Sequence, residues 1–474
     1  MTKAAVSGVA VIVVLGAAYV GLSAYSGSVV HKHYTEALDK MQKEGALPPI
    51  LKVTDSKYEQ GLLSSTATLS LQLGCALPGA ATPAPVVTLH GDIAHGPFPA
   101  FSSLGLARID TSIALPPDAP APLRAWLAGM KPGAIRTTIG FGGASSTSVD
   151  LPAGQFKQDD GQLQWKPMHA RFQLDGARKN FSYDLDMPEV ALDFSGDSGA
   201  GSFKLVNLRG QADGTVVEGM LMGSGTGAFT LDQAQVQTDS PGGKLLFNLN
   251  QLKYTTKSQE ANDLLDASVA LTGTADFKMG DKALKLDKIE VQESMKRLHA
   301  PTLRKLSLGF WQSLGGSLCA AGNSDLAETM EEQQAAMLAG MAQLLPYNPE
   351  YSVDKVAVSY EGKEGTLAYS VAANGMTAQD LQTPDRNNLL GKITAKASGK
   401  VPLAWLEKIA AESGKDRELS PQETQQQLDS AIDSLVKEGY IIREGDFISS
   451  SAQFEHGQLT INGKPQALPG LPMR

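Results

Sequence analysis

"TATLSLQLG", residues 66 to 74, decides the fold class of this 474-residue chain. Ala67, Leu69, Leu71 and Leu73 alternate with Thr68, Ser70 and Gln72. A period of two sends apolar side chains to one face and polar ones to the other, the mark of a strand with one wet face. A helix would need its apolar residues three and four apart. The alternation returns in Ala170, Phe172 and Leu174 against Arg171, Gln173 and Asp175. It returns again in Val356, Val358 and Tyr360, followed by the turn-forming "EGKEG" and then Leu367, Tyr369 and Val371. That last pair predicts a hairpin.

Composition agrees. Gly 48 and Pro 25, with 6% aromatic and 19% charged residues, favour strands and turns over helix bundles. The length suits one large β domain or two or three ordinary ones. A net charge of -9 offers no basic stripe to neutralise phosphates, so nucleic acid is excluded as a partner.

Between the clear strands lies a weak internal repeat. "FKLVNL" (Phe203 to Leu208) and "FNLNQL" (Phe247 to Leu252) share F-x-L-x-x-L, and each is followed by a second match, "LDQAQV" (Leu231 to Val236) and "LDKIEV" (Leu286 to Val291). The unequal spacings predict loops of different length within a stack of similar antiparallel units, unless the likeness is that of any two alternating strands.

Helices interrupt the pattern in two places. "SDLAETMEEQQAAMLAGMAQLLPYNPE" offers Asp325 as N-cap, Glu328 three later and Pro346 as terminator, predicting a helix near 324–346. "PLAWLEKIAAES" and "SPQETQQQLDSAIDSLVKEG" predict a pair over 402–438. In the second of these Ser420 caps, Pro421 fits the first turn, Glu423 completes a capping box and Gly439 ends the helix. Leu428, Ile432 and Leu435 form its apolar stripe.

The N-terminus bears on location. From Ala4 to Val30 the only ionisable side chains are Tyr19 and Tyr25. As a helix this run covers roughly 40 Å, enough for a hydrocarbon core of about 30 Å. An uncleaved signal anchor is expected, with the tyrosines near the distal interface and the helix continuing through "HKHYTEALDKMQKEG" as a stalk. A cleaved signal peptide, cut near Ala24 to Ser26, is the competing reading. Cys75 and Cys319 are the only cysteines, and either one long-range disulfide or two separate thiols satisfies the sequence.

Motifs that carry chemistry are missing. H-E-x-x-H, G-x-x-x-x-G-K-[ST] and G-x-S-x-G do not occur, and "GSGTG" at 223–227 lacks the spacing of a dinucleotide fingerprint. His31 and His33, one residue apart on a helix, point to different faces. Asp159 and Asp160 fit a turn. His90, Asp92 and His95 are the one set from which a two-His-one-Asp metal site could be drawn. Against that stands a structural reading of "GDIAHGPFPAF", 91–101: Pro97 and Pro99 stiffen the chain and Gly96 allows close approach. Phe98 and Phe101 can then plug a core, and Phe98→Ala would cost about 3–5 kcal/mol if the ring is fully buried.

These residues also carry a family resemblance. "HGPFP", with "YEQGLLSSTATLSL" upstream (Tyr58, Gly61, Ser64 and Ser65), resembles the YdgA-like family of bacterial inner-membrane proteins that carry a domain of unknown function. "LDKIEV", "LLPYNPE" and "GQLTINGKP" extend the likeness over most of the chain. The resemblance implies an inner-membrane protein with a single N-terminal span and its bulk in the periplasm. It brings no catalytic residues. Tyr58, Gly61, Ser64, Ser65, His95, Gly96, Pro97, Phe98 and Pro99 are therefore read as structural motif residues, with no catalytic, cofactor or metal site.

The expected architecture is mainly β with a few helices. Residues 1–44 form the anchor and stalk, 45–320 a large antiparallel, curved and repetitive β region, and 321–474 an α+β region packed on the same sheet. The expected function is non-enzymatic: binding an apolar, lipid-like ligand on a β surface. A structural or assembly factor contacting other envelope proteins is the alternative, and an envelope hydrolase the remaining one.

Overall fold

Alternating residues form strands in the computed structural model. It describes residues 3–43, 51–73, 86–158, 161–196, 199–216, 223–240, 243–280, 282–307, 339–377, 379–380, 386–416 and 419–467, and the side chains of the first helix from 18 to 39. The protein is mainly β: the described residues form 22 strands of one antiparallel sheet, with a few helices. Two compact units are distinguished.

The first unit comprises residues 1–196, 205–225 and 304–337. It opens with a long helix, α1 (Lys3–Lys43). A meander follows: β1 (Leu51–Gln60), β2 (Ser64–Leu73), β3 (Val86–His95), β4 (Ala107–Ala114), β5 (Ile135–Ile139) and β6 (Ser145–Leu151), each antiparallel to the next. A short helix, α2 (Ala121–Ala128), separates β4 from β5, and its Trp126 meets Trp165 edge-on with centroids 5.0 Å apart. Next come β7 (Gly154–Gln158), β8 (Gly161–Trp165), β9 (Met168–Leu174) and β10 (Asn180–Gly196). β9 returns to pair with β6, and β10 spans both β9 and β8. Residues 66–73 of "TATLSLQLG" lie in β2, a strand as expected. Val30, Ile93 and Ala107 form a buried cluster with Tyr58, Ala67, Ile109 and Ile139 packed around it.

β11 (Gly199–Thr215) and β12 (Gly225–Ser240) carry "FKLVNL" and "LDQAQV". β13 (Gly243–Ala261) carries "FNLNQL", β14 (Leu264–Met279) follows, and β15 (Lys282–His299) carries "LDKIEV". The second copy is thus split by a whole strand, where the unequal spacing had suggested only a longer loop. The copies do share one backbone feature. Asn207 and Gln251, the fifth residue of each hexapeptide, have φ of 54° and 51°. Beside Gln251 the β13–β14 register slips between Asn250 and Lys253, as at a bulge that bends the strand.

The second unit comprises 197–204, 226–303 and 338–474. β13 to β15 continue antiparallel through β16 (Glu350–Tyr360), β17 (Lys363–Ala373) and β18 (Ile393–Pro402), the β16–β17 pair being the expected hairpin. A short helix, α3 (Arg386–Gly391), precedes β18. Two longer ones, α4 (Leu403–Asp416) and α5 (Pro421–Glu438), fall where the pair over 402–438 was expected. Ser420 Oγ accepts from Glu423 N at 3.2 Å, while Glu423 Oε2 accepts from Ser420 N at 2.9 Å, closing the capping box. Gly439 ends α5 at φ 83°. The strands β19 (Ile442–Glu444), β20 (Phe447–Glu455), β21 (Gln458–Ile461) and β22 (Lys464–Gln466) complete the unit. Ile432 of α5 is buried with Leu403 and Ile448, and Leu428 packs on them, whereas Leu435 stays exposed.

Among the described residues no helix is long and apolar enough to cross a membrane. The side chains of residues 4–17, the first half of the expected span, lie outside the described ones, as do Cys75, Cys319, Asp159, Asp160 and the expected helix from 324 to 338. Beyond it, Leu345–Tyr347 forms a single 3-10 turn, with Tyr347 stacked on His299 at 3.8 Å.

Candidate functional site

Strand alternation settles the histidines of β3. His90 and Asp92 lie on one face and are exposed, whereas Ile93 and His95, odd-numbered, lie on the other and are buried. The three candidate ligands do not all share one face. Among the described residues no cluster of three metal-ligating side chains exists. His90 instead meets Thr68 Oγ1 across the β2–β3 ladder at 3.3 Å.

At the end of β3 the Gly96–Pro97 peptide is cis and the chain turns into a 3-10 turn, Pro99–Phe101. Gly96 N donates to Leu106 O at 2.7 Å, and a Cβ on Gly96 would lie 3.2 Å from that oxygen. The expected core plug is corrected here. Phe98 is 47% exposed and Phe101 85%, while Pro99 is fully buried in their stead. Two successive left-handed residues, Ala100 (φ 48°) and Phe101 (φ 53°), swing the ring outward. Phe98→Ala is accordingly expected to lower the unfolding free energy, read from denaturant titration, by less than about 1 kcal/mol, not 3–5. A larger loss would mean the ring is buried after all.

His95, 1% exposed, is the buried centre of the motif. Its Nε2 is 2.9 Å from Ser65 Oγ and its Nδ1 3.4 Å from Leu62 O. A carbonyl can only accept, so Nδ1 carries the proton and Nε2 accepts from the Ser65 hydroxyl. Burial pushes the His95 pKa down, only partly opposed by the Leu62 carbonyl, and the ring stays neutral. Its backbone N donates to Leu63 O at 3.0 Å.

Over this ring lies α1. Ser23, Ser26, Gly27 and Val30, spaced three and four apart, are the buried face of the helix. A Cβ on Gly27 would stand 2.6 Å from His95 Nδ1, so glycine is what lets the helix close on the imidazole. One turn earlier, Ser23 Oγ donates to Gly96 O. Tyr19 Oη donates to Phe98 O at 3.3 Å, and its ring stacks on Phe101 at 5.8 Å. One turn later, His31 stacks on Tyr58 at 4.4 Å with its Nδ1 3.0 Å from Gln60 Oε1, and Tyr34 tilts against the same ring at 5.1 Å. Gly61 N donates to Ser64 O at 2.9 Å, closing the β1–β2 turn that places Ser65.

The structure therefore gathers Tyr58, Ser65, His95 and Gly96 under one helix face and leaves Phe98 outside. A hydroxyl 2.9 Å from an imidazole has the spacing of a nucleophile and its base. Here both partners are buried, the third group is a carbonyl and not a carboxylate, and Gly27 closes the remaining approach. The arrangement holds a helix; it has no room for a substrate atom between Ser65 and His95.

The model of DUF945, a bacterial protein family of unknown function, matches residues 1–469. The chain belongs to that family. It is also similar to Protein YdgA of Escherichia coli (strain K12), 23% identical over 508 residues that cover 99% of this chain and 95% of YdgA. No solved structure matches.

Two further features of this DUF945 chain bear on activity. The carboxylates furthest from their ordinary pKa are ion-paired. Glu290 is held at about 2 by Lys355 and Lys288, and Asp380 at about 2 by Lys392 and Thr377. Carboxylates so stabilised in the charged form are poor general acids near neutral pH. The other feature is apolar. Leu367, Tyr369 and Val371, successive residues on one face of β17, are all exposed. Their register partners are Val356, Val353 and Tyr351 on β16 and Gly399, Ala397 and Ala395 on β18. The same face is covered at Gly365, where a Cβ would lie 2.6 Å from the Trp405 ring of α4. From Leu367 to Val371 it is open, and it closes again at Ala373, which is buried.

Proposed function

We propose that this protein works by binding and not by catalysis: anchored by α1 in a bacterial inner membrane, it holds an apolar, lipid-like molecule on the open face of β17 in the periplasm. The observation that carries the reading is the run Leu367, Tyr369 and Val371, three large apolar side chains in water on a strand flanked by alanine, glycine and valine. Apolar surface left in water is unfavourable by about 25 cal/mol per Å², and a contiguous patch is the usual mark of a ligand or partner site. The flanking small residues leave a shallow track, and the edge-on pair Tyr351–Tyr369, centroids 6.1 Å apart, gives it an aromatic wall. The charge-free run Ala4 to Val30 supports the anchor.

The test uses the full chain purified in mild detergent and native mass spectrometry of what it retains. A stoichiometric apolar adduct is expected, and it should be lost in the Leu367→Asp, Tyr369→Asp double variant while the protein stays folded. An adduct-free wild type, or an adduct indifferent to the double substitution, would sink the reading and shift attention to protein partners.

A further inference from the structure

Large apolar side chains of the outer face of α1 and of the loop after β3 are exposed. Phe101 is 85% exposed, Leu104 67%, Tyr25 64% and Leu22 51%. Between Gly96 and Ala107 no residue is ionisable. Ala100 and Phe101 both hold left-handed backbone, a conformation that costs energy in non-glycine residues and here turns the Phe101 ring outward.

Length completes the picture. From Tyr19 onward α1 is fastened to the sheet: Tyr19 to Phe98 and Phe101, Ser23 to Gly96, Gly27 to His95. Ala4 to Ala18 precede these contacts and amount to about 22 Å of helix, against a hydrocarbon core of about 30 Å. The missing length, roughly five residues, is the stretch from Tyr19 to Ser23, beside which Phe98 and Phe101 lie. If α1 crosses the bilayer, these loop residues must share its depth.

We propose that the loop from Pro97 to Leu104 is seated in the bilayer interface, so that Phe98, Phe101 and Leu104 meet lipid and fix the height of the β scaffold above the membrane. This rests on the reading of α1 as an anchor. Aromatic rings at the depth of Tyr19 suit the boundary between headgroups and acyl chains, and the hydrogen bonds of Ser23 and Tyr19 to loop carbonyls satisfy polar groups there.

The experiment reconstitutes the full chain into phosphatidylethanolamine–phosphatidylglycerol vesicles with acyl chains brominated near the headgroup. Tryptophan is introduced at one position at a time: Phe101→Trp, Leu104→Trp, and Asp118→Trp as a control, since Asp118 follows the far end of β4 from the loop. Measured as the difference from the wild type, which has Trp 4, the added emission of the first two variants should be blue-shifted and mostly lost to bromine, and that of the control unchanged. If the chain floats with the vesicles while all three positions go unquenched, the loop proposal is wrong and the anchor stands. If the chain does not float, the anchor reading fails and takes the loop with it.

Discussion

Gly27→Leu is expected to lift α1 off strand β3 and loosen the first four strands of the chain. Even a Cβ at this position would lie 2.6 Å from His95 Nδ1 and 3.0 Å from Nε2, and His95 has nowhere to go, being fixed by Ser65 and the Leu62 carbonyl. Overpacking of a closed seat costs about 1–3 kcal/mol, and more when the backbone must move. Leucine forces the helix axis outward, which uncovers Val30 from Ile93 and Ala107 and parts Ser23 from Gly96. Hydrogen exchange of β1 to β4 in the full chain should accelerate, and the denaturant midpoint should fall. Gly21→Ala is the contrast. Nothing lies within 4 Å of a Cβ there, so this substitution should be neutral or gain up to about 1 kcal/mol of helix propensity. If Gly27→Leu behaved like Gly21→Ala, the helix would not be seated on His95.

The contrast shows which parts of the site could be read from sequence. Strand pairing was legible because period-two alternation and hairpin turns are local: β2, β9, β16 and β17 sit where their patterns put them. The caps of α5 were legible for the same reason, since Ser420 and Glu423 act within one turn. Two further features of the site are written in the sequence. Odd and even numbering along β3 already separates His90 and Asp92 from His95. Ser23, Ser26 and Gly27, small residues three and four apart in an apolar helix, mark a face made for close packing. Phe98 and Phe101 were not legible. Their direction depends on a left-handed pair of non-glycine residues and on a helix 79 residues earlier whose Tyr19 bonds the Phe98 carbonyl, and neither leaves a local trace. The prolines did announce a rigid crossing, but it is Pro99 that fills the interior.

This also explains why a joint between an uncharged helix and a sheet is built on a histidine. A helix with no charge from Ala4 to Val30 has few ways to find one rotational setting, because apolar side chains slide on apolar surface. Small residues set how closely it approaches. The Ser23 hydroxyl on the Gly96 carbonyl, and a ring that only glycine can cover, set where along the helix it stops. The resulting attachment is stiff, and it carries the position of the N-terminal helix directly into β3.

His95→Ala is expected to cost about 2–4 kcal/mol, from the space left under Gly27 and from the Ser65 hydroxyl and Leu62 carbonyl losing their partner. Ser65→Ala should cost about 1 kcal/mol, and the double variant less than the sum, because the unpaired Ser65 hydroxyl is gone. pH sharpens the test. Burial holds the folded His95 pKa below the ordinary value of 6.5. Between the folded value and 6.5 the unfolded chain therefore binds more protons at this site, so acid favours unfolding. The stabilising contribution of the neutral ring is fully present above about 6.5 and shrinks as pH falls below it, down to the folded pKa. The midpoint difference between wild type and His95→Ala, measured on the full chain, should thus be larger at about pH 8 than at about pH 5. A difference that stayed constant would mean that folding does not shift the His95 pKa, and one that grew on acidification that the fold favours the charged ring; either would overturn the neutral peg beneath α1.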